Sequence, residues 1–205
     1  MSKHLLAHPP EAHLIVEASR PAYVRVEPAP RVGPMGLCVS AFIQAGEPAG
    51  AHGLPQVALA HAEHATGWSL GLDPEGRASL VVGTESGPAV LRLTPPLQGG
   101  TWYELVARIP GPLSEPRMTL AVRRRGRADG DAEGSVRIGA PVLNARGPLL
   151  WGCRSLFDDI HPEFAFSGRV ADVLIIADSS AVISRQDVAP DARRAVRWQL
   201  DVAVG

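Results

Sequence analysis

The chain has 205 residues, 45% of them hydrophobic and 20% charged, with a formal net charge of −1. That apolar content suffices for one buried core and excludes a disordered chain. The balanced charge, with no acidic or basic tail, excludes gross electrostatic attraction to nucleic acid or to an anionic membrane.

Residues 1–12 read as a flexible N-terminal arm. Its apolar residues are interrupted by His4, His8, Pro9, Pro10 and Glu11, so no signal-peptide core forms there. Residues 13–205 read as a single β-sandwich domain, because no compositional break divides them. Strands are predicted over 13–17 and 22–27. In the second, Tyr23, Arg25 and Glu27 alternate with Ala22, Val24 and Val26, the period-two pattern of a half-buried strand. Residues 35–43 form a longer apolar strand, and 45–55, with three glycines and two prolines, form a loop.

Short strands follow over 56–61 and 66–72, the latter placing Trp68, Leu70 and Leu72 on one face. Asp73-Pro74-Glu75-Gly76 is a turn signal: Pro74 presets the second position and Gly76 tolerates positive φ. Partner strands are predicted over 77–83, 88–93, 101–109 and 118–124, the last with Met118, Leu120 and Val122 inward. A charged loop spans 126–134. Strands over 136–138, 149–153, 163–166 and 169–176 complete about twelve, counted by the alternation rule.

The run Phe164-Ala-Phe166-Ser-Gly168-Arg-Val-Ala-Asp172 and the apolar residues after it read as a closing β-hairpin turned at Ser167-Gly168. A single helical turn is predicted near 184–187. Residues 191–200 read either as a short helix after Pro190 or as a terminal strand; the alternation of Val196, Trp198 and Leu200 favours the strand. The 21 glycines and 19 prolines are scattered between apolar runs, as expected of many strands joined by turns. The expected class is therefore all-β, a two-sheet antiparallel sandwich with few or no helices.

Little in the chain announces chemistry. Cys38 and Cys153 lie in apolar segments and read as two buried thiols, with a disulfide left open. His61-x-x-His64, near His52, has metal-like spacing. Residues i and i+3 of a strand point to opposite faces, however, so these read as solvated histidines at a strand end. Asp158, Asp159, His161 and Glu163 crowd one loop and are the candidate ligand or ion residues. Hard cations take several carboxylate oxygens, which makes calcium the ion this loop suggests, although it lacks EF-hand glycine spacing.

Arg123-Arg124-Arg125-x-Arg127 is followed by Asp129, Asp131 and Glu133, so its field largely cancels. It reads as a hairpin tip rather than a nucleic-acid patch. Trp68, Trp102, Trp151 and Trp198 each fall in an apolar alternation and read as core packing. The G-x-S-x-G, P-loop and G-x-G-x-x-G patterns are absent, and no strand carries a carboxylate pair at i and i+4. No catalytic residue and no resident cofactor is expected. No apolar run approaches the ~20 residues of a membrane span, and the cytoplasm is the expected location.

Three segments together resemble the laminin-G-like, concanavalin A-like jelly-roll domains. These are Gly67-Trp68-Ser-Leu-Gly71-Leu-Asp73-Pro-Glu-Gly76, Gly100-Thr-Trp102-Tyr103-Glu-Leu-Val-Ala107 and Phe166-Ser-Gly168-Arg-Val170-Ala-Asp172-Val173. More narrowly, the chain is similar to the laminin-G-like domain of the N,N-dimethylformamidase large subunit. The matching residues are Ala18-Ser-Arg-Pro-Ala-Tyr23-Val-Arg-Val26 at the entrance, the Trp68 and Trp102 hairpins, and Val196-Arg-Trp198-Gln-Leu200-Asp201 at the exit, where Gln199 departs from the family's Asp. The resemblance implies a non-catalytic accessory domain that packs on a catalytic domain or subunit. The family's iron site of tyrosines and a glutamate lies beyond such a domain, and neither Tyr23 nor Tyr103 matches it. If the chain is part of an enzyme, the resemblance implies an amidohydrolase. The alternative expectation is a lectin-like module that binds carbohydrate or calcium.

Overall fold

The computed structural model describes residues 13–16, 22–27, 29–46, 53–125, 131–157, 161–177, 180–183 and 199–202. The expected arm over 1–12 and the stretch 184–198, with its predicted turn and Trp198, lie outside them. The first strands are β1 (His13–Val16), β2 (Ala22–Val26), β3 (Leu37–Ala45), β4 (Gln56–Glu63), β5 (Thr66–Leu72), β6 (Ala78–Thr84) and β7 (Gly87–Arg92). Then come β8 (Trp102–Ile109), β9 (Arg117–Arg124), β10 (Ala132–Arg137), β11 (Leu149–Trp151), β12 (Ser155–Phe157), β13 (His161–Glu163), β14 (Gly168–Ala177), β15 (Ser180–Ile183) and β16 (Gln199–Val202). Among the described residues there is no helix.

Two antiparallel sheets stack face to face. One runs β1-β14-β3-β8-β9-β10, with β15 also on β14; the other runs β16-β2-β11-β4-β5-β6-β7, and β12-β13 forms a separate hairpin. The fold is an all-β jelly-roll sandwich. Strict alternation builds the first sheet. Val39, Ala41 and Ile43 of β3, Leu105 and Ala107 of β8, and Leu120 of β9 are fully buried, while the residues between them face out. Leu70 and Leu80 face them from the second sheet. Burying each of the Val, Leu and Ile side chains among them contributes about 1.5–3 kcal/mol.

The second sheet departs from that pattern. β4, β5 and β6 are buried on nearly every residue. Many of their outward positions are small (Ala60, Ser69, Gly71, Ser79), and Gly152 and Phe164 lie along β4. Gly152 N donates to Ala58 O at 2.8 Å, and Val57 N to Phe164 O at 2.9 Å.

This overturns the expected closing hairpin. Phe164–Phe166 does not pair with β14; Ala165 makes a parallel bridge to Val57 of β4. The chain then crosses to the other sheet at Ser167-Gly168, where Gly46 N donates to Ser167 O at 2.9 Å. Gly168 sits at φ +144°, and a Cβ there would strike the Gln44 carbonyl oxygen. A local Ser-Gly signal cannot distinguish a turn from such a crossing, since both need the same backbone freedom. Two smaller shifts also appear. β3 starts at Leu37 rather than 35, after the Gly33–Gly36 bridge, and β10 starts at Ala132, inside the predicted charged loop.

The Asp73–Gly76 turn forms as expected, with Gly76 at φ +81°. Asp73 itself is only 3% exposed. Its Oδ1 accepts from the amides of Glu75 (3.0 Å) and Arg77 (2.9 Å), and its Oδ2 from Arg77 Nε at 2.7 Å. Arg92 adds an ion pair at 3.4 Å. Burial raises the carboxyl's pKa, but these Arg77 bonds outweigh it and leave it below the usual carboxylate range.

His61 is a correction. It is 2% exposed on β4, across from Trp68 on β5, which is 1% exposed. Trp68 faces the core, so its cross-strand partner does too; only His64, in the turn after β4, is exposed. Neither His61 Nδ1 nor Trp68 Nε1 has a partner among the described residues. Burial, helped by Arg31, holds the imidazole below its ordinary 6.5; the backbone of Gly147 and Pro30, and Glu63, pull less strongly the other way.

Asp73→Ala should lower the unfolding free energy by about 3 kcal/mol, read as a fall in urea midpoint at unchanged slope. His61 is neutral in the fold, so its contribution is complete above pH 6.5 and declines as pH falls below that value, where only the unfolded chain gains the proton. The urea midpoint should therefore drop between pH 7 and pH 5, and His61→Gln should flatten that slope. A slope unchanged in the variant would refute the assignment.

Candidate functional site

A cleft of about 520 Å³ opens on the outer side of the second sheet, where β2, β11 and β4 lie side by side. Their order follows from register. Leu150 pairs with Arg25 on one side and with Ala60 on the other, so the three outward side chains line up. Leu150 and Ala62 make an apolar floor. Arg25, Glu63, His64, Arg154, Ser155, Glu163 and Phe164 rise around it. The β12-β13 hairpin forms one wall, and the turn at Gly147-Pro148 forms another.

The charged groups are held in place. Arg154 Nη2 donates to the His64 carbonyl at 3.1 Å, and its guanidinium stands 5.5 Å from the Phe164 ring centroid. Ser155 Oγ donates to Glu163 Oε2 at 2.6 Å. Arg146 N donates to Glu63 Oε2 at 3.2 Å. Arg25 donates through Nε and Nη2 to Glu27 Oε1 at 3.0 and 2.7 Å. Each tether reduces the entropy that a ligand would have to remove.

Of the four expected ligand residues, Glu163 lines this cleft and His161 lies two residues away on β13. Asp158 and Asp159 fall outside the described residues. Among the described residues, no three His, Cys, Asp or Glu side chains stand close enough to hold a metal ion. Arg25, Glu63 and Arg154 were invisible as a group in the sequence, because only strand order joins positions so far apart.

A second depression, of about 730 Å³, lies between the loops around Pro34, Pro112 and Pro141. It is the larger but has fewer convergent polar groups. Asn144 is spent on the backbone of Val32, accepting from its N at 2.8 Å and donating to its O at 3.2 Å. The smaller cleft is therefore the better site, since orientation and specificity come from placed polar groups.

Other expected features are placed as follows. Trp68 is core and Trp151 packs partly against it, but Trp102 stands on the outer face of the first sheet, beside Gln44. It therefore does not serve the core as expected. Cys153 is buried and its thiol is pushed up to about 12 by that burial. Cys38 is only half-buried on an outward position, with its pKa raised by burial despite Arg108 beside it. Both thiols are free. In the basic run, Arg123 reaches Glu104 at 3.6 Å and Arg125 stacks on Phe42 at 5.2 Å, so these side chains serve the outer face of β8 and β3.

No protein-family model matches the chain, and no curated protein sequence matches it significantly. Solved structures do. A heptameric SAP-like pentraxin from Limulus polyphemus matches at TM-score 0.54 and 16% identity, over 85% of this chain and 77% of that one. The mouse laminin α1 chain, domains LG4-5, matches at 0.57 and 16%, over 86% of this chain and 45% of that one. The carbohydrate-binding module CBM40 of a Ruminococcus gnavus sialidase, bound to α2,3-sialyllactose, matches at 0.56 and 8%, over 83% and 92%. At these identities the likeness speaks for architecture alone, and the architecture is that of a laminin-G-like, concanavalin A-like jelly roll.

Proposed function

We propose that this chain is a non-catalytic β-sandwich that recognises partners, and that its principal partner is a catalytic domain or subunit of the N,N-dimethylformamidase type. The sequence resemblance at the entrance strand and at the two tryptophan hairpins supports this reading. So does one feature of the fold. The outer face of the first sheet carries half-buried Phe42, Val106, Leu174 and Ile176 in adjacent strands, by the register Phe42–Glu104, Ser40–Leu174 and Cys38–Ile176. These apolar side chains are interspersed with Ser40, Glu104 and Cys38 across that register, and such a mixed face has the composition of a non-obligate protein interface. The two free thiols suit a reducing compartment, and the proposal places the module in the cytoplasm.

A second reading has its own observation. The cleft over Leu150 has the size and mixed lining of a small-ligand site, and the CBM40 module of like fold is described bound to a sialylated sugar. Under this reading the chain binds carbohydrate. Calcium at the adjacent loop would involve Asp158, Asp159, His161 and Glu163.

Co-purification with an amidohydrolase subunit of that type, read by size exclusion with light scattering, tests the first reading. A one-to-one complex is expected, and Ile176→Lys should weaken it at least about tenfold. A chain that stays monomeric beside that subunit overturns the reading. Thermal shift and calorimetry with glycans and with calcium chloride test the second.

A further inference from the structure

We infer that the cleft between Arg25 and Phe164 selects a neutral, hydroxyl-rich sugar ring over an acidic one; this rests on the carbohydrate reading and adds to it the site and the ligand's charge. Two arginines, Arg25 and Arg154, and two glutamates, Glu63 and Glu163, line the cleft, so their formal charges cancel. An anion entering it gains no net field.

A sugar hydroxyl both donates and accepts, which is what guanidinium and carboxylate groups in one cleft satisfy. Arg154 has no carboxylate within ion-pair distance among the described residues. Its bond to the His64 carbonyl uses one Nη2 hydrogen and leaves further N–H donors for a ligand. Glu163 is bonded at Oε2 by Ser155, which leaves Oε1 as an acceptor. The half-buried Phe164 ring supplies apolar surface for the C–H face of a pyranose, above a floor closed by the buried Leu150. The volume of about 520 Å³ falls within the roughly 300–1,000 Å³ typical of small-molecule sites.

The test is calorimetric and NMR titration of the full chain with lactose, cellobiose and maltose, and with α2,3-sialyllactose as the acidic counterpart of lactose. At least one neutral disaccharide should bind with a Kd of about 1 mM, and sialyllactose should bind more weakly than lactose. Amide shifts should centre on Leu150, Ser155 and Phe164, an outcome that requires no variant. Arg154→Ala and Glu163→Gln should each weaken binding about tenfold, with an unchanged Tm reporting an intact fold. Glu115→Gln, on the loop before β9, should change nothing.

Tighter binding of sialyllactose than of lactose overturns the charge selection. Neutral binding that ignores both variants and shifts other amides overturns the site, while the carbohydrate reading stands. No heat and no shifts with any of the four sugars removes that reading together with the inference.

Discussion

Two sheets can share one dry interior only if the chain passes between them without leaving backbone groups unpaired. That constraint shapes this molecule most visibly at residues 152–168. The segment leaves β11, runs along β4 and enters β14, and each step is closed by a backbone bond: Gly152 to Ala58, Phe166 to Gly152, Gly46 to Ser167. Phe166, fully buried, anchors the passage in the core. The small outward Ala60 of β4 suits the same packing, because a strand covered on both faces has little room for large side chains. The cleft is a by-product of this arrangement. Where the covering segment diverges from β4 into the β12-β13 hairpin, the sheet's outer face is left open and is rimmed by the hairpin's own polar side chains.

The electrostatic economy of the structure differs between its ends. At the Asp73 turn, a buried carboxylate is satisfied by two amides and two arginines, so its charge is consumed in holding β5 to β6. At the cleft, Arg154, Glu63 and Glu163 are each held by one hydrogen bond, which leaves Arg154 and Glu163 further bonding capacity. The first arrangement serves stability and the second leaves capacity for a ligand. His61 belongs with the first group, as a neutral ring packed against Trp68.

How much of this could be read in advance depended on whether a strand has one wet face. β2 and β9 do, and their alternation marked both their presence and their inward residues; β3 and β8 were marked as strands, but Trp102 of β8, read as core, faces out. β4 does not. Its run of Val57, Ala58, Leu59 and Ala60 carries no period, so His61 at its end looked like a surface residue although it points inward. The Asp73-Pro-Glu-Gly76 turn was legible because its signal is local. The crossing at Gly168 was not, because the destination of a glycine bend is a matter of topology. The cleft was the least legible of all. Glu163 stood out in its acidic loop, but Arg25, Glu63 and Arg154 become neighbours only when β2, β11 and β4 align.

The outer border of β14 has a consequence of its own. β1 occupies its first half and β15 its second, each four residues long, on either side of the irregularity at Asp172, where φ is +48°. A long, straight, unpaired border would invite a stray polypeptide to zip on and seed fibrils. Two short pieces, offset by a kink, offer an intruder no more than a few successive rungs, so the jelly roll is guarded against self-templating at the place where its first layer ends.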